Sequence, residues 1–230
     1  MGKTTRASHL SFHPTNFTGS VSALLLKLRD ASCLLLFAHG AGDDMRHRFM
    51  ENMSHELASL GIATLRYQFP YTERKSKRPD PKPILLATVR SAVALANDVS
   101  DGLPLLAGGK SMGGRMTSLA ASEEPLPGVR GIVFFGFPLH PAGEPSTERA
   151  EHLSNVKLPI LFLQGTRDAL ADLTLLKPIG KKLGKRVTLR VIDEADHSFH
   201  VPKRSGRSDA DVLAELARTV AEWSTSVVAD

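Results

Sequence analysis

Short, nearly unbroken apolar runs alternate along this chain with longer stretches in which apolar residues recur every three or four positions. "CLLLFA" (33–38) is such a run and enters the turn "HGAG". Behind it Phe49, Met50, Met53, Leu57 and Leu60 fall on one helical face, and Gly61 ends that element, as a period of 3.6 residues and a glycine stop predict. "IATLRYQFP" reads as the next strand, closed by Pro70. A basic, proline-bearing loop, "YTERKSKRPDPKP", follows before residues 84–99 return to helical spacing. "LPLLAGG" (103–109), "VRGIVFFGFP", "LPILFLQGTRD" and "RVTLRVIDEADH" are four further strands. "SDADVLAELARTVAEW" is a closing amphipathic helix with Ser208 or Asp209 as its N-cap. Near the N-terminus "GSVSALLLKL" predicts an antiparallel edge strand.

Strands that are apolar on both faces, alternating with helices, predict an α/β fold: a mostly parallel central sheet flanked by helices on both faces. No repeat, linker or change of composition divides the chain, so one domain over residues 1–230 is expected. In such sheets ligands gather beyond the carboxyl ends of the strands, so residues that directly follow strands are the ones to examine.

Gly109-Lys110-Ser111-Met112-Gly113 fits G-x-S-x-G between a strand and a helical stretch. On a strand-to-helix elbow the two glycines let neighbouring backbones approach, and the serine hydroxyl is held out at the positive end of a helix. The other reading is a tight turn in which Ser111 only caps the helix. A phosphate-binding P-loop is excluded, because its first glycine would fall at Leu105. A serine needs a base, and the base an orienting acid. His197 and Asp168 each follow a strand and stand in the order serine, acid, histidine. Asp168 could instead be an N-cap, with Asp172 as the substitute acid, while Asp196 could tune the surroundings of His197. The oxyanion hole is expected from the amides of Met112 and Ala41, with His39 and Gly40 as turn-formers. From the basic loop, Tyr71 and Arg74, with Lys75 beside them, are candidate substrate contacts attracting an anionic group. Lys110 has no catalytic assignment.

Composition narrows the picture further. The formal charge of +5 is scattered, without aromatic interleaving, so nucleic-acid binding is not expected. A single cysteine, Cys33, excludes an internal disulfide. No apolar stretch has the length of a membrane span, and the first residues carry no signal-peptide core, which predicts a cytoplasmic protein. No His–Cys cluster or dinucleotide fingerprint calls for a metal or cofactor; the expected partner is a small-molecule ester substrate.

The order of strand, elbow, "HGAG", Asp168 and His197 resembles the α/β-hydrolase superfamily over nearly the whole chain. More narrowly, "GGKSMGGRM", "QGTRD" and "ADHSFHVPKRSGR" look like the dienelactone-hydrolase-like group that includes testis-expressed and NSL-complex-subunit proteins. The resemblance implies an eight-stranded sheet and a Ser–Asp–His triad. Dienelactone hydrolases proper use a cysteine nucleophile, whereas here the elbow holds Ser111 and Cys33 lies inside a strand. The short segment "LHPAGEPSTERAEHLSNVKL" leaves no room for a cap domain, so an open cleft is expected. The activity expected is carboxylesterase-type hydrolysis of small esters or thioesters; the alternative is a hydrolase fold kept as an interaction module.

Overall fold

A computed structural model describes residues 7–229. Among these residues eight strands form one sheet in the order β1-β2-β4-β3-β5-β6-β7-β8. The strands are β1 (Ser8–Phe12), β2 (Val21–Leu26), β3 (Cys33–Ala38), β4 (Ile62–Tyr67), β5 (Leu105–Lys110), β6 (Val129–Phe135), β7 (Ile160–Gly165) and β8 (Val187–Ile192). β2 pairs antiparallel with both β1 and β4, and the remaining pairings are parallel. The segment expected at the edge became β2, but β1 pairs outside it and is the edge itself.

The helices are α1 (Arg48–Ser59), α2 (Pro70–Glu73), α3 (Lys82–Val99), α4 (Met112–Glu123), α5 (Leu173–Leu183) and α6 (Asp209–Val228). Alternation along β3 shows how they are distributed. Cys33, Leu35 and Phe37 face Met50, Met53 and Leu57 of α1 and Leu216, Val220 and Trp223 of α6. Leu34, Leu36 and Ala38 face Leu86, Val89 and Val93 of α3 and Met116 and Leu119 of α4. Each face of the strand therefore buries against a helical layer, which is why the run carries no polar side chain. α6 starts where its sequence predicts: Ser208 accepts from the amide of Asp211, and the Asp211 carboxylate accepts from the amide of Ser208. α5 carries Pro178 in its interior, a residue that argues against a helix on sequence alone, and it was not foreseen.

The connections fix where a ligand can sit. From β3 the chain crosses through α1 to β4 on one side. It then returns through α3 to β5 on the other side. The sheet thus reverses direction between β3 and β5, and a crevice opens beyond their carboxyl ends. Between β6 and β7 the chain forms only a loop and a 3-10 turn over Glu148–Asn155, with no cap domain.

Candidate active site

Ser111 leaves β5 at φ 50° and ψ −117°, a region that costs a non-glycine residue about 1–3 kcal/mol. The surroundings hold it there. Its amide donates to the carbonyl of Phe135 at 3.1 Å. A Cβ at Gly109 would stand 2.3 Å from the carbonyl oxygen of Ala38, and one at Gly113 would stand 2.5 Å from that of His39. Strand β3 therefore lies so close to both flanks of the elbow that only glycine fits. Ser111 makes no side-chain cap of α4, so the capping alternative falls.

The hydroxyl of Ser111 lies 2.9 Å from Nε2 of His197, and Nδ1 of the same ring lies 2.7 Å from Oδ2 of Asp168. With the proton on Nδ1 donated to the carboxylate, Nε2 is the acceptor for the serine hydroxyl. The side chain of Asp168 is fully buried. Its oxygens also accept from the amide of Leu170 at 2.8 Å and from Nε2 of Gln164 at 2.5 Å. Gln164 is buried too, and its own oxygen accepts from the amide of Phe137. It clamps the acid to β7, a role that sequence reading missed because a single glutamine at a strand end carries no pattern. Asp172, the substitute acid, is instead the N-cap of α5 and accepts from the amide of Thr174.

His197 stands on a bent loop. Glu194 and Phe199 have φ of 56° and 64°, and Asp196 accepts from the amides of Ser198 and His200. Lys110 braces the same loop: its ammonium donates to the carbonyl of His197 at 2.5 Å and lies 5.9 and 5.5 Å from the ring centres of Phe49 and Phe199. Burial pushes this amine down to about 8, against the opposing pull of Asp168, Asp43 and Asp196.

The HGAG turn is built from inside. His39 is buried; with Nδ1–H donating to the carbonyl of Gly40 at 2.8 Å, its Nε2 accepts the amide of Phe69 at 3.2 Å. Desolvation lowers its pKa, so it stays neutral as a structural residue. Ala41 is exposed and, with Gly40, lines a cavity of about 150 Å³ in front of Ser111, His197 and Lys110. Met112 begins α4, where the first amides have no partner within the helix.

The structure does not bring the expected contacts of the basic loop, Tyr71 and Arg74, to the cavity at Ser111. Tyr71 is 0% exposed; its hydroxyl points back to the carbonyl of Gly40 and its amide donates to Asp80. Arg74 pairs with the same buried Asp80. The aromatic ring and the carboxylate draw this segment inward as a brace under the HGAG turn, away from the cleft. Lys75 lines a separate hollow beside Thr72 and Ser76.

Residues 31–225 match the alpha/beta hydrolase domain family. The chain belongs to that family. Its fold is similar to a dienelactone hydrolase from Anabaena variabilis, at 21% identity and TM-score 0.75 over 97% of this chain and 99% of that one. It is also similar to XC6422 from Xanthomonas campestris, a serine hydrolase without a lid, at 20% identity and TM-score 0.71 over 95% of each chain. Est1E from Butyrivibrio proteoclasticus shares 14% identity at TM-score 0.73, over 96% of this hydrolase and 99% of Est1E. Among the described residues no helix is long and apolar enough to cross a membrane, and no cluster of three or more His, Cys, Asp or Glu could hold a metal ion.

Proposed function

We propose that this hydrolase is a carboxylesterase-type serine enzyme acting on small esters or thioesters through an acyl-enzyme. The observation that carries the reading is the unbroken chain from Asp168 through His197 to Ser111, with contacts of 2.7 and 2.9 Å. Ser111 Oγ attacks the ester carbonyl as its proton passes to Nε2 of His197. The carbonyl oxygen takes the negative charge, and the amides of Met112 and Ala41 receive it. As the C–O bond to the alcohol breaks, the imidazolium returns its proton to the departing oxygen. Water then attacks the acyl-serine, His197 accepting its proton and returning it to Ser111, and the carboxylic acid leaves.

Structural neighbours named as esterases or serine hydrolases are in keeping with this chemistry. Cys33 is fully buried and its thiol pKa is raised by desolvation, so a cysteine nucleophile is not on offer. The stretches "GKSMGGR" and "DHSFHVPKRSGR" are our grounds for the narrower dienelactone-hydrolase-like grouping. A fluorophosphonate probe tests the proposal. Labelling of the wild type, none of Ser111→Ala, and turnover of short esters only by the former are expected. Absence of label and of turnover in a folded wild type would turn the reading towards an interaction module.

A further inference from the structure

Beside the cavity at Ser111 lies a larger hollow of about 480 Å³ between the first turns of α1 and α6. The two share His47, Phe49 and Ser198 in their walls and so lie side by side. Ser198 directly follows His197, which puts the hollow on the imidazole flank of the nucleophile.

This placement has a chemical consequence, given the serine-hydrolase reading on which it rests. The proton leaving Nε2 goes to the departing alcohol oxygen, so that oxygen must come within hydrogen-bond reach of the ring. The alcohol half of the ester therefore lies on the His197 side of Ser111. We infer that the hollow between α1 and α6 binds the alcohol half of the substrate, and that it takes an alcohol with a bulky apolar body, aryl or medium-chain alkyl.

The walls fit such a body. Half-buried Phe49 and Leu213 line it. Phe199 stacks on Phe49 with ring centres 5.8 Å apart and planes 15° apart, and Lys110 supports both rings through its ammonium. The apolar surface is thus rigid before any ligand arrives, which spares part of the ordering cost of binding. The rest of the lining is polar, with Asn52, His55 and Glu56 and the charged Arg48 and Asp209, so a polar substituent on the alcohol stays solvated. In size the hollow lies within the usual range of small-molecule sites, roughly 300–1,000 Å³. The space at Ser111, about 150 Å³, suits the reacting carbonyl and a short acyl group.

Two ester series with the full chain test this. One holds acetate fixed and varies the alcohol through ethanol, butanol and 2-phenylethanol; the other holds ethanol fixed and lengthens the acid. These alcohols have similar acidity, so the first series reads binding in the transition state more than leaving-group activation. We expect kcat/KM to rise roughly tenfold or more along the alcohol series and to stay level or fall along the acid series. Ala210→Trp and Asn52→Trp, at exposed positions in the walls, should bring the 2-phenylethyl-to-ethyl ratio close to one, with thermal melts verifying the fold. A flat alcohol series, a preference that follows the acid, or a ratio unmoved by both substitutions overturns the inference while the hydrolase reading stands. Turnover of no ester in either series removes both.

Discussion

Two serine–histidine pairs stand on or against α4. Ser111 meets Nε2 of His197 at 2.9 Å, and Ser118, about two turns along the helix, meets Nε2 of His152 at 2.8 Å. By distance they are equivalent, yet everything around them differs. Ser111 sits on a strained backbone at the mouth of a cavity, and its histidine is held by a buried carboxylate. Ser118 is fully buried on a regular helix and its hydroxyl also donates to the carbonyl of Arg115. Burial, helped by the nearby charges of Arg115 and Lys82, lowers His152 to about 4. An imidazole so reluctant to take a proton is a poor base at neutral pH. The contact itself is common; the carboxylate, the opening and the bent backbone set Ser111 apart from a packing bond.

The largest effect expected follows from removing each hydroxyl. Ser111→Ala should cut ester turnover by roughly 10⁴-fold or more, down to what binding and the oxyanion site supply alone. Ser118→Ala should leave kcat within about twofold and act on the melting temperature only. Comparable losses of kcat in the two folded variants would erase the distinction drawn here.

The acid sharpens it next. Asp168→Asn keeps the shape but lets the amide hold the wrong tautomer of His197, and a loss of roughly 10³–10⁴-fold in kcat is expected. Asp172→Asn, which touches only the start of α5, should leave kcat near the wild-type value. A reversed pattern in steady-state kinetics would mean that the acid had been wrongly assigned.

Which parts of this were legible beforehand follows from the physics of each. That Ser111, Asp168 and His197 would meet was readable because triad chemistry asks for those residue types and each follows a strand. The alternation along β3 and the capping box at Ser208 were readable because they are local. The inward turn of Tyr71 was not, since it depends on Asp80 and on His39, which meet it only in the folded chain. Basic residues and an aromatic in a loop after a strand look the same whether they line a cleft or brace a turn. Gln164 and β1 were missed for another reason: a lone glutamine at a strand end carries no pattern, and β1 is a short, mostly exposed stretch without an apolar run.

Titration of buried groups offers the finest test. His152 and Lys110 are both lowered by desolvation, to about 4 and about 8, from ordinary values of 6.5 and 10.5. In each case the unfolded chain holds more proton than the folded one between the two values. Each group therefore contributes stability that rises with pH through its window, from about 4 to 6.5 for His152 and from about 8 to 10.5 for Lys110, where the raised thiol of Cys33 pulls the other way above 9. The gain in either window is at most about 3–4 kcal/mol at 1.36 kcal/mol per unit. Denaturant unfolding of His152→Gln should flatten the acid slope, leaving the part that buried His39 supplies, and keep the alkaline behaviour, while Lys110→Met should change the alkaline limb alone. The second variant carries the comparison back to the active site: it removes the donor that holds the His197 carbonyl, so kcat should fall along with the alkaline slope, whereas His152→Gln should flatten its slope with kcat intact. Retention of the alkaline slope in Lys110→Met would mean that another group titrates there, and that the amine beside the nucleophile keeps its charge throughout.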